Sequence, residues 1–436
     1  MSTYSGDETV PPSRIAPQPR RFLRRGWLFI DIMKTMERQL YIRDPIHGNI
    51  TLSPSEFAIL NTQAFQRLRH IRQLGLTDLV FPGATHTRFS HSIGVMHLAE
   101  RMLTQVFTRV PESLIARGER PRMVKLMRYV GLLHDLGHPP FSHALEDLFE
   151  PGFSHEEMAR RIVLETEISE IIRHYGPREG VALEDVVSLL AGRPSRELEF
   201  LRTVLSSELD IDKMDYLQRD STYCGVRYGF FDLERLLYTS LCLKTADGLH
   251  LGVHESGIHA LEAFVLARYY MFAQVYFNLT SKILELHLKN FFNTLNLRWS
   301  TKVGEFLMQD DVWVYTLLKQ HAGHPDARAV LYRKHHPLLL ETEEHLSPVK
   351  ERRFAARLRR LTREHPDWRL FVSLASKDPH RFAESRILVA DTRGKVFSVE
   401  KVSSFISYLK KINQFRLYGP RNLARPVQAF FGKQFR

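Results

Sequence analysis

His134-Asp135-Leu136-Gly137-His138-Pro139-Pro140-Phe141-Ser142-His143 packs three imidazoles and a carboxylate into ten residues, directly after an apolar helical run. Upstream, Val124, Met127 and Val130 recur at spacings of three, and His134 follows four later, so its imidazole is expected on the buried face of a helix. Gly137 and the Pro139-Pro140 pair are expected to end that helix. Neighbours on a helix point about 100° apart, so His134 and Asp135 make a poor catalytic dyad. They make a good half of a site for a divalent first-row metal, because imidazole nitrogen and carboxylate oxygen both suit such an ion.

Two other stretches offer the missing ligands. In Arg88-Phe89-Ser90-His91-Ser92-Ile93-Gly94-Val95 a second amphipathic helix is expected to open with Ser90 as its N-cap, lining His91 up with Val95, Leu98 and Met102. Further on, Leu205, Leu209, Asp212 and Tyr216 are spaced to share one face of a long third helix that follows the break at Arg193-Pro194-Ser195. An acid on an apolar face is costly to bury unless something positive meets it. His97, His174 and His287 lack such surroundings and read as surface or core histidines.

Together, His91, His134-Asp135 and Asp212 resemble the H…HD…D signature of the HD-domain phosphohydrolases. Asp44-Pro45-Ile46-His47-Gly48, Phe65-Gln66-Arg67-Leu68-Arg69, Val80-Phe81-Pro82-Gly83-Ala84 and Ile211-Asp212-Lys213-Met214-Asp215-Tyr216 extend the likeness to the deoxynucleoside triphosphate triphosphohydrolase branch, from about Asp44 to about Asn278. The resemblance implies a mainly α fold with an all-helical HD-domain core. It also implies one divalent metal ion per site (Mn, Fe, Ni, Co, Zn or Mg) held by His91, His134, Asp135 and Asp212. The implied substrate is a dNTP, dGTP among them, cleaved between the 5′ oxygen and the α-phosphorus to deoxynucleoside and triphosphate. On this reading His138 and His143 position the attacking water or neutralise the α-phosphate, Glu146 orients His143, and His155 protonates the leaving oxygen. Arg88, Lys213 and Arg268 would grip the phosphates. Gln73 and Leu74 would lie near sugar and base, and Tyr216, Asp220 and Tyr276 would pack the deoxyribose.

Taken alone, Ser154-His155-Glu156-Glu157 reads only as a helix start with acids complementing the dipole. A zinc-protease HExxH is excluded because position 159 is alanine. The family members switched on by guanine nucleotides carry an Asp where this chain has Asn61, and an amide cannot accept from both guanine donors as a carboxylate does. That departure sets a nucleotide effector in question, while assembly into dimers or tetramers stays an expectation. Two alternatives use the same metal residues: an HD-type phosphomonoesterase or phosphodiesterase on another nucleotide or nucleic-acid end, and a non-catalytic nucleotide or nucleic-acid sensor.

The 436 residues, 44% of them hydrophobic, suffice for one large helical core and a smaller satellite. No apolar run approaches the roughly 20 residues of a membrane helix, so no membrane association is expected. Residues 1–36 are expected to be a disordered basic tail, with Met33 or Met36 an equally good start. Cys224 and Cys242 are the only cysteines, which offers no disulfide framework and favours the cytoplasm. A net charge of +12 favours polyanionic partners, nucleotides first and weakly bound nucleic acid second.

After an extended, turn-rich start at 40–52, a helical run is expected over 56–74, and helices are expected to resume near Ser256. The expected organisation is an HD phosphohydrolase domain over 37–300 and a helical extension over 301–365. A small C-terminal α+β lobe over 366–436 would carry strands at 370–374, 387–390 and 396–399 and a helix over 400–412.

Overall fold

The computed structural model describes residues 40–142, 145–377 and 387–432. The expected tail over 1–36 and the candidate His143 lie outside the described residues.

The described chain opens with an antiparallel hairpin, β1 (Leu40–Asp44) against β2 (Gly48–Leu52). Asp44 Oδ1 accepts from the backbone N–H groups of Ile46 and His47, each at 2.9 Å, and so closes the turn between the strands. The helix Pro54–Leu60 follows with Ser53 and Glu56 in a reciprocal capping box. The helical run expected to reach Leu74 stops there. Asn61 turns its amide back to the Phe57 carbonyl at 2.7 Å, and Thr62 caps a new helix, Gln63–Arg67. Local side-chain bonds of this kind compete with the helical ladder. Gln73 and Leu74 therefore sit in a non-helical connection.

Three helices build the centre of the molecule: Arg88–Phe107, Arg120–Leu133 and Ile211–Cys224, the first packing along both others. The first begins two residues before the expected Ser90 cap. Thr87 is its N-cap, and the Ser90 hydroxyl donates to the Thr87 carbonyl at 3.0 Å. The second ends at Leu133, with His134 as C-cap, so the Gly137 and Pro139-Pro140 signals come after the stop. The third is not the long helix expected after Ser195. Glu199–Leu205 ends, residues 206–210 break the pattern, and Asp210 caps the new helix by accepting from the Lys213 N–H at 2.8 Å. Ser207 and Asp210 absorb the backbone donors of the break, which explains why Leu205 and Leu209 do not share a helix with Asp212. Val95, Leu98, Met102, Met127, Val130, Met214 and Leu217 are sealed from solvent in the core around these helices. Each such side chain stabilises the fold by about 1.5–3 kcal/mol.

Where helices were expected only from Ser256 onward, a helix Leu233–Thr239 and a hairpin, β3 (Ser240–Lys244) and β4 (Leu249–His254), come first. The stretch expected as helical over 301–365 also contains a strand, β5 (Leu338–Glu341). The C-terminal α+β part is shared between two sheets. β7 (Leu388–Ala390) runs parallel to β4 and carries β8 (Val396–Ser398) at its edge, giving the order β3-β4-β7-β8. β6 (Phe371–Lys377) and β9 (Ile412–Tyr418) form the other sheet with β5, in the order β5-β9-β6. The helix expected over 400–412 is two short ones, Val399–Val402 and Ser404–Tyr408. Among the described residues no helix is long and apolar enough to cross a membrane.

Candidate metal centre

His91 lies one turn into its helix, His134 caps the end of the next, and Asp212 lies in the first turn of the third. Their donor atoms fall within 4.8 Å of one another. His91 Nε2 is 2.9 Å from Asp212 Oδ1, and His134 Nε2 is 3.8 Å from the same oxygen. Asp135 adds its two oxygens, Oδ1 at 3.3 Å from His134 Nε2 and Oδ2 at 3.7 Å from His91 Nε2. Three of the four side chains proposed as ligands from the sequence thus form one group, and Asp135 lies beside them.

Each imidazole is oriented by its far nitrogen. His91 Nδ1 donates to Asp215 Oδ2 at 2.8 Å, and His134 Nδ1 donates to the Gly131 carbonyl at 2.8 Å. These bonds fix the tautomer that turns Nε2 inward as an acceptor of a cation. Asp215 is itself locked by His47 Nε2 at 2.6 Å and by Arg219, whose Nη1 continues to Asp44 at 2.8 Å. Sequence reasoning missed this layer. Its signal was the spacing of Asp212, Asp215 and Arg219 on one helix, together with the Asp44 to Gly48 motif. Gly94 makes room for it: a Cβ there would meet Asp215 Oδ1 at 1.9 Å.

The charge balance fits a cation. Burial would lower the His91 pKa, but its hydrogen bonds to Asp212 and Asp215 outweigh that and raise it to about 10. For His134, burial is likewise overridden by the Asp135 and Asp212 carboxylates, and its pKa rises. Burial opposes ionisation of Asp135 and Asp212, yet Arg88 and the histidines hold the first, and His134 and His91 the second, below the usual range. Among the described residues His134 Nε2 is buried with no hydrogen-bond partner. Two anions facing imidazoles that draw protons in place of another positive charge suit a divalent ion. His91, His134 and Asp212 fit such an ion, with the Asp135 carboxylate beside them.

Around this point the other candidates divide into groups. Arg88, 3% exposed, donates Nη1 to Asp135 at 2.6 Å and Nε to Ser142 Oγ at 2.8 Å. His138 stacks on His155, with centroids 4.1 Å apart and planes at 20°, and His138 Nε2 is 3.3 Å from Asp135 Oδ1. Burial, then the charges of Arg88 and His155, push the His138 pKa well down. Glu146 pairs with His155 Nδ1; its expected role toward His143 falls on a residue outside the described ones. Burial would lower the His155 pKa, but Glu146 raises it. The helix bearing His155 can approach because position 137 is glycine, where a Cβ would meet the His155 carbonyl at 1.9 Å.

Tyr216, Asp220 and Tyr276 are brought together. The Tyr276 hydroxyl donates to Asp220 at 2.7 Å, and the Tyr216 and Tyr276 rings meet edge to face. His86 joins them by donating Nε2 to Asp220 at 2.7 Å. Lys213 bonds Asp210 at 2.6 Å, and buried Arg268 pairs with buried Glu208. Among the described residues Gln73 Oε1 is buried without a partner, and its neighbour Leu74 is half-buried. Asn61 is exposed and spent on its helix end.

Residues 88–220 match the HD domain and 231–341 the HD associated region. The chain belongs to the HD-domain phosphohydrolase family. It is 38% identical over 255 residues to an uncharacterised protein of Bacillus subtilis, covering 58% of this chain and 55% of that one. It is 31% identical over 289 residues to the deoxynucleoside triphosphate triphosphohydrolase SAMHD1 of Gallus gallus, covering 59% and 44%. The crystal structure of a hypothetical protein from Aquifex aeolicus superposes with a TM-score of 0.75 at 33% identity, over 91% of this chain and all of the other. This HD-domain chain spans about half the length of the curated relatives it matches.

Proposed function

We propose that this HD-domain hydrolase is a metal-dependent deoxynucleoside triphosphate triphosphohydrolase, releasing deoxynucleoside and intact triphosphate from dGTP and other dNTPs. The observation that carries the reading is the convergence of His91, His134, Asp135 and Asp212 beside Arg88 and the stacked His138 and His155. Similarity to SAMHD1 supports the choice of substrate. A divalent ion in this setting supplies a more acidic bound water and polarises a phosphoryl oxygen.

The chain's own groups do the rest. Arg88, held against Asp135 and Ser142, presents a fixed guanidinium to an α-phosphate. His155, with its proton affinity raised by Glu146, serves as the general acid toward the departing 5′ oxygen. His138, kept neutral by burial and neighbouring cations, orients the attacking water, and His143 is assigned the same task. Tyr216, Tyr276 and Asp220 form the sugar wall, with Gln73 and Leu74 beside it, and Lys213 and Arg268 receive the outer phosphates. We assign the enzyme to the cytoplasm, as a homo-oligomer.

A second reading, an HD-type phosphoesterase on a substrate with fewer phosphates, is favoured by one feature. Lys213 and Arg268 already face the buried acids Asp210 and Glu208, which reduces the positive charge offered to a triphosphate. Product analysis separates the two. Purified protein with Mn²⁺ and each of the four dNTPs is expected to yield nucleoside and triphosphate in equal amounts. Release of inorganic phosphate or nucleoside monophosphate, or no turnover with any dNTP, contradicts the triphosphohydrolase reading.

A further inference from the structure

The segment 306–315 belongs to the HD associated region and not to the HD domain itself, yet it grips the metal-site loop from two sides. Arg67, 4% exposed, donates Nη1 to the His138 carbonyl at 3.1 Å, and its Nε and Nη2 to the Gln309 carbonyl at 3.0 and 2.7 Å. Two residues on, Asp311 is equally buried. Its Oδ1 accepts from the Phe141 N–H at 3.0 Å and its Oδ2 from the Arg72 N–H at 2.9 Å. One turn later on the same helix, Tyr315 sets its ring edge-on to Phe141, with centroids 5.5 Å apart.

The loop so gripped has an unfavourable backbone. Phe141 and Ser142 take φ of 55° and 53°, the left-handed region that non-glycine residues seldom occupy in succession. Such conformations persist where the surroundings over-determine them, and they gather at functional sites. Ser142 Oγ accepts from Arg88 Nε, and Arg88 Nη1 donates to Asp135, one of the four candidate ligands. An unbroken series of contacts therefore runs from Asp311 through Phe141-Ser142 and Arg88 to Asp135. The other Asp311 oxygen holds Arg72, the residue before Gln73.

We propose that Asp311 is a positioning residue: the HD associated region supplies a carboxylate that sets the Phe141-Ser142 turn and, through it, the orientation of Arg88 against Asp135. Its effect on turnover rests on the hydrolase reading above, whereas its effect on the loop does not. The two N–H groups that Asp311 joins belong to segments 69 residues apart, and the acceptor lies 170 residues beyond the nearer one.

The test uses the full chain with Mn²⁺ and dGTP. Asp311→Asn keeps the shape but turns one acceptor into a donor facing an N–H. It is expected to raise deuterium exchange in the segment 136–142 by roughly tenfold, while the helix Ile258–Met271 exchanges as in wild type. Its kcat is expected to fall about 10- to 100-fold with KM changed less than about threefold, as for an interaction that aligns reacting groups. That loss is expected to vanish in an Arg88→Lys background, because the effect passes through Arg88. Asp311→Glu, which keeps the charge but displaces it by a methylene, is expected to exchange at an intermediate rate and stands in should the Asn variant not fold. If wild type hydrolyses no dNTP, the hydrolase reading fails and the exchange measurement alone decides Asp311. Wild-type exchange over 136–142 in a folded variant, or an undiminished kcat loss in the Arg88→Lys background, overturns the proposal.

Discussion

Two of the histidine-carboxylate clusters among the described residues, one at His287 and one at His134, differ in whether they have valence to spare. At His287, Nδ1 donates to Asp326 at 2.6 Å while Nε2 accepts from the His336 N–H at 3.3 Å. Asp326 is further held by Asn290 at 2.7 Å and Arg369 at 2.6 Å. Every strong donor there has met an acceptor, so the cluster fastens helices to one another. At His134, by contrast, one ring nitrogen is spent on Gly131 and the other faces a point shared with His91, Asp135 and Asp212. Residue types are alike in the two places, although His134 and Asp212 are less deeply buried than His287 and Asp326. What separates a site from a strut is whether the inward atoms already have partners.

The contrast breaks most visibly on substitution. His134→Ala is expected to lower dNTP turnover by at least about a thousandfold and leave the metal-free protein folded. His287→Ala is expected to keep its metal and lose about 1–3 kcal/mol of stability, because buried Asp326 loses one hydrogen bond while Asn290 and Arg369 still hold it. Assay and denaturant titration of both variants check the pair. Next in size, His155→Gln is expected to slow turnover about 100-fold or more, with metal content as in wild type. Asp215→Asn reaches the site only through His91, and metal affinity is expected to weaken about 10- to 100-fold in a calorimetric titration.

Smallest in its effect on activity is Glu56, a fully buried acid bonded to Arg128 and Lys125. Burial would raise its pKa, but Arg128 and Lys125 bring it from 4.5 down to about 2. Its stabilisation is present above pH 4.5 and is lost as the pH falls toward 2, and it amounts to about 3 kcal/mol at neutral pH. Glu56→Gln is expected to be less stable at pH 7 and to have a flatter stability profile between pH 4.5 and 2, measured by urea unfolding.

Much of the site was legible because each ligand sits in, or directly after, a helix with apolar spacing. Val130 announces His134, Val95 follows His91, and Tyr216 follows Asp212, although Leu205 and Leu209 lie before the helix that carries them. Asp215 and Asp311 were not legible in the same way. The first works through another residue's far nitrogen, and the second acts from 170 residues beyond the loop it holds. The pairing of Glu146 with His155, nine residues further on, carried no signal of its own either. In the fold, the β3–β4 hairpin carried a usable signal, an Asp247-Gly248 turn between alternating segments, which was passed over. The parallel pairing of β4 with β7 joins segments more than a hundred residues apart, and no local pattern encodes it.

The decisive measurement is the metal content of the purified chain after loading with Mn²⁺ and gel filtration, beside Asp212→Asn treated identically. One ion per wild-type chain and close to none in the variant is the expected result. Equal metal in both, or none in wild type at micromolar free Mn²⁺, would contradict a centre built from these four side chains.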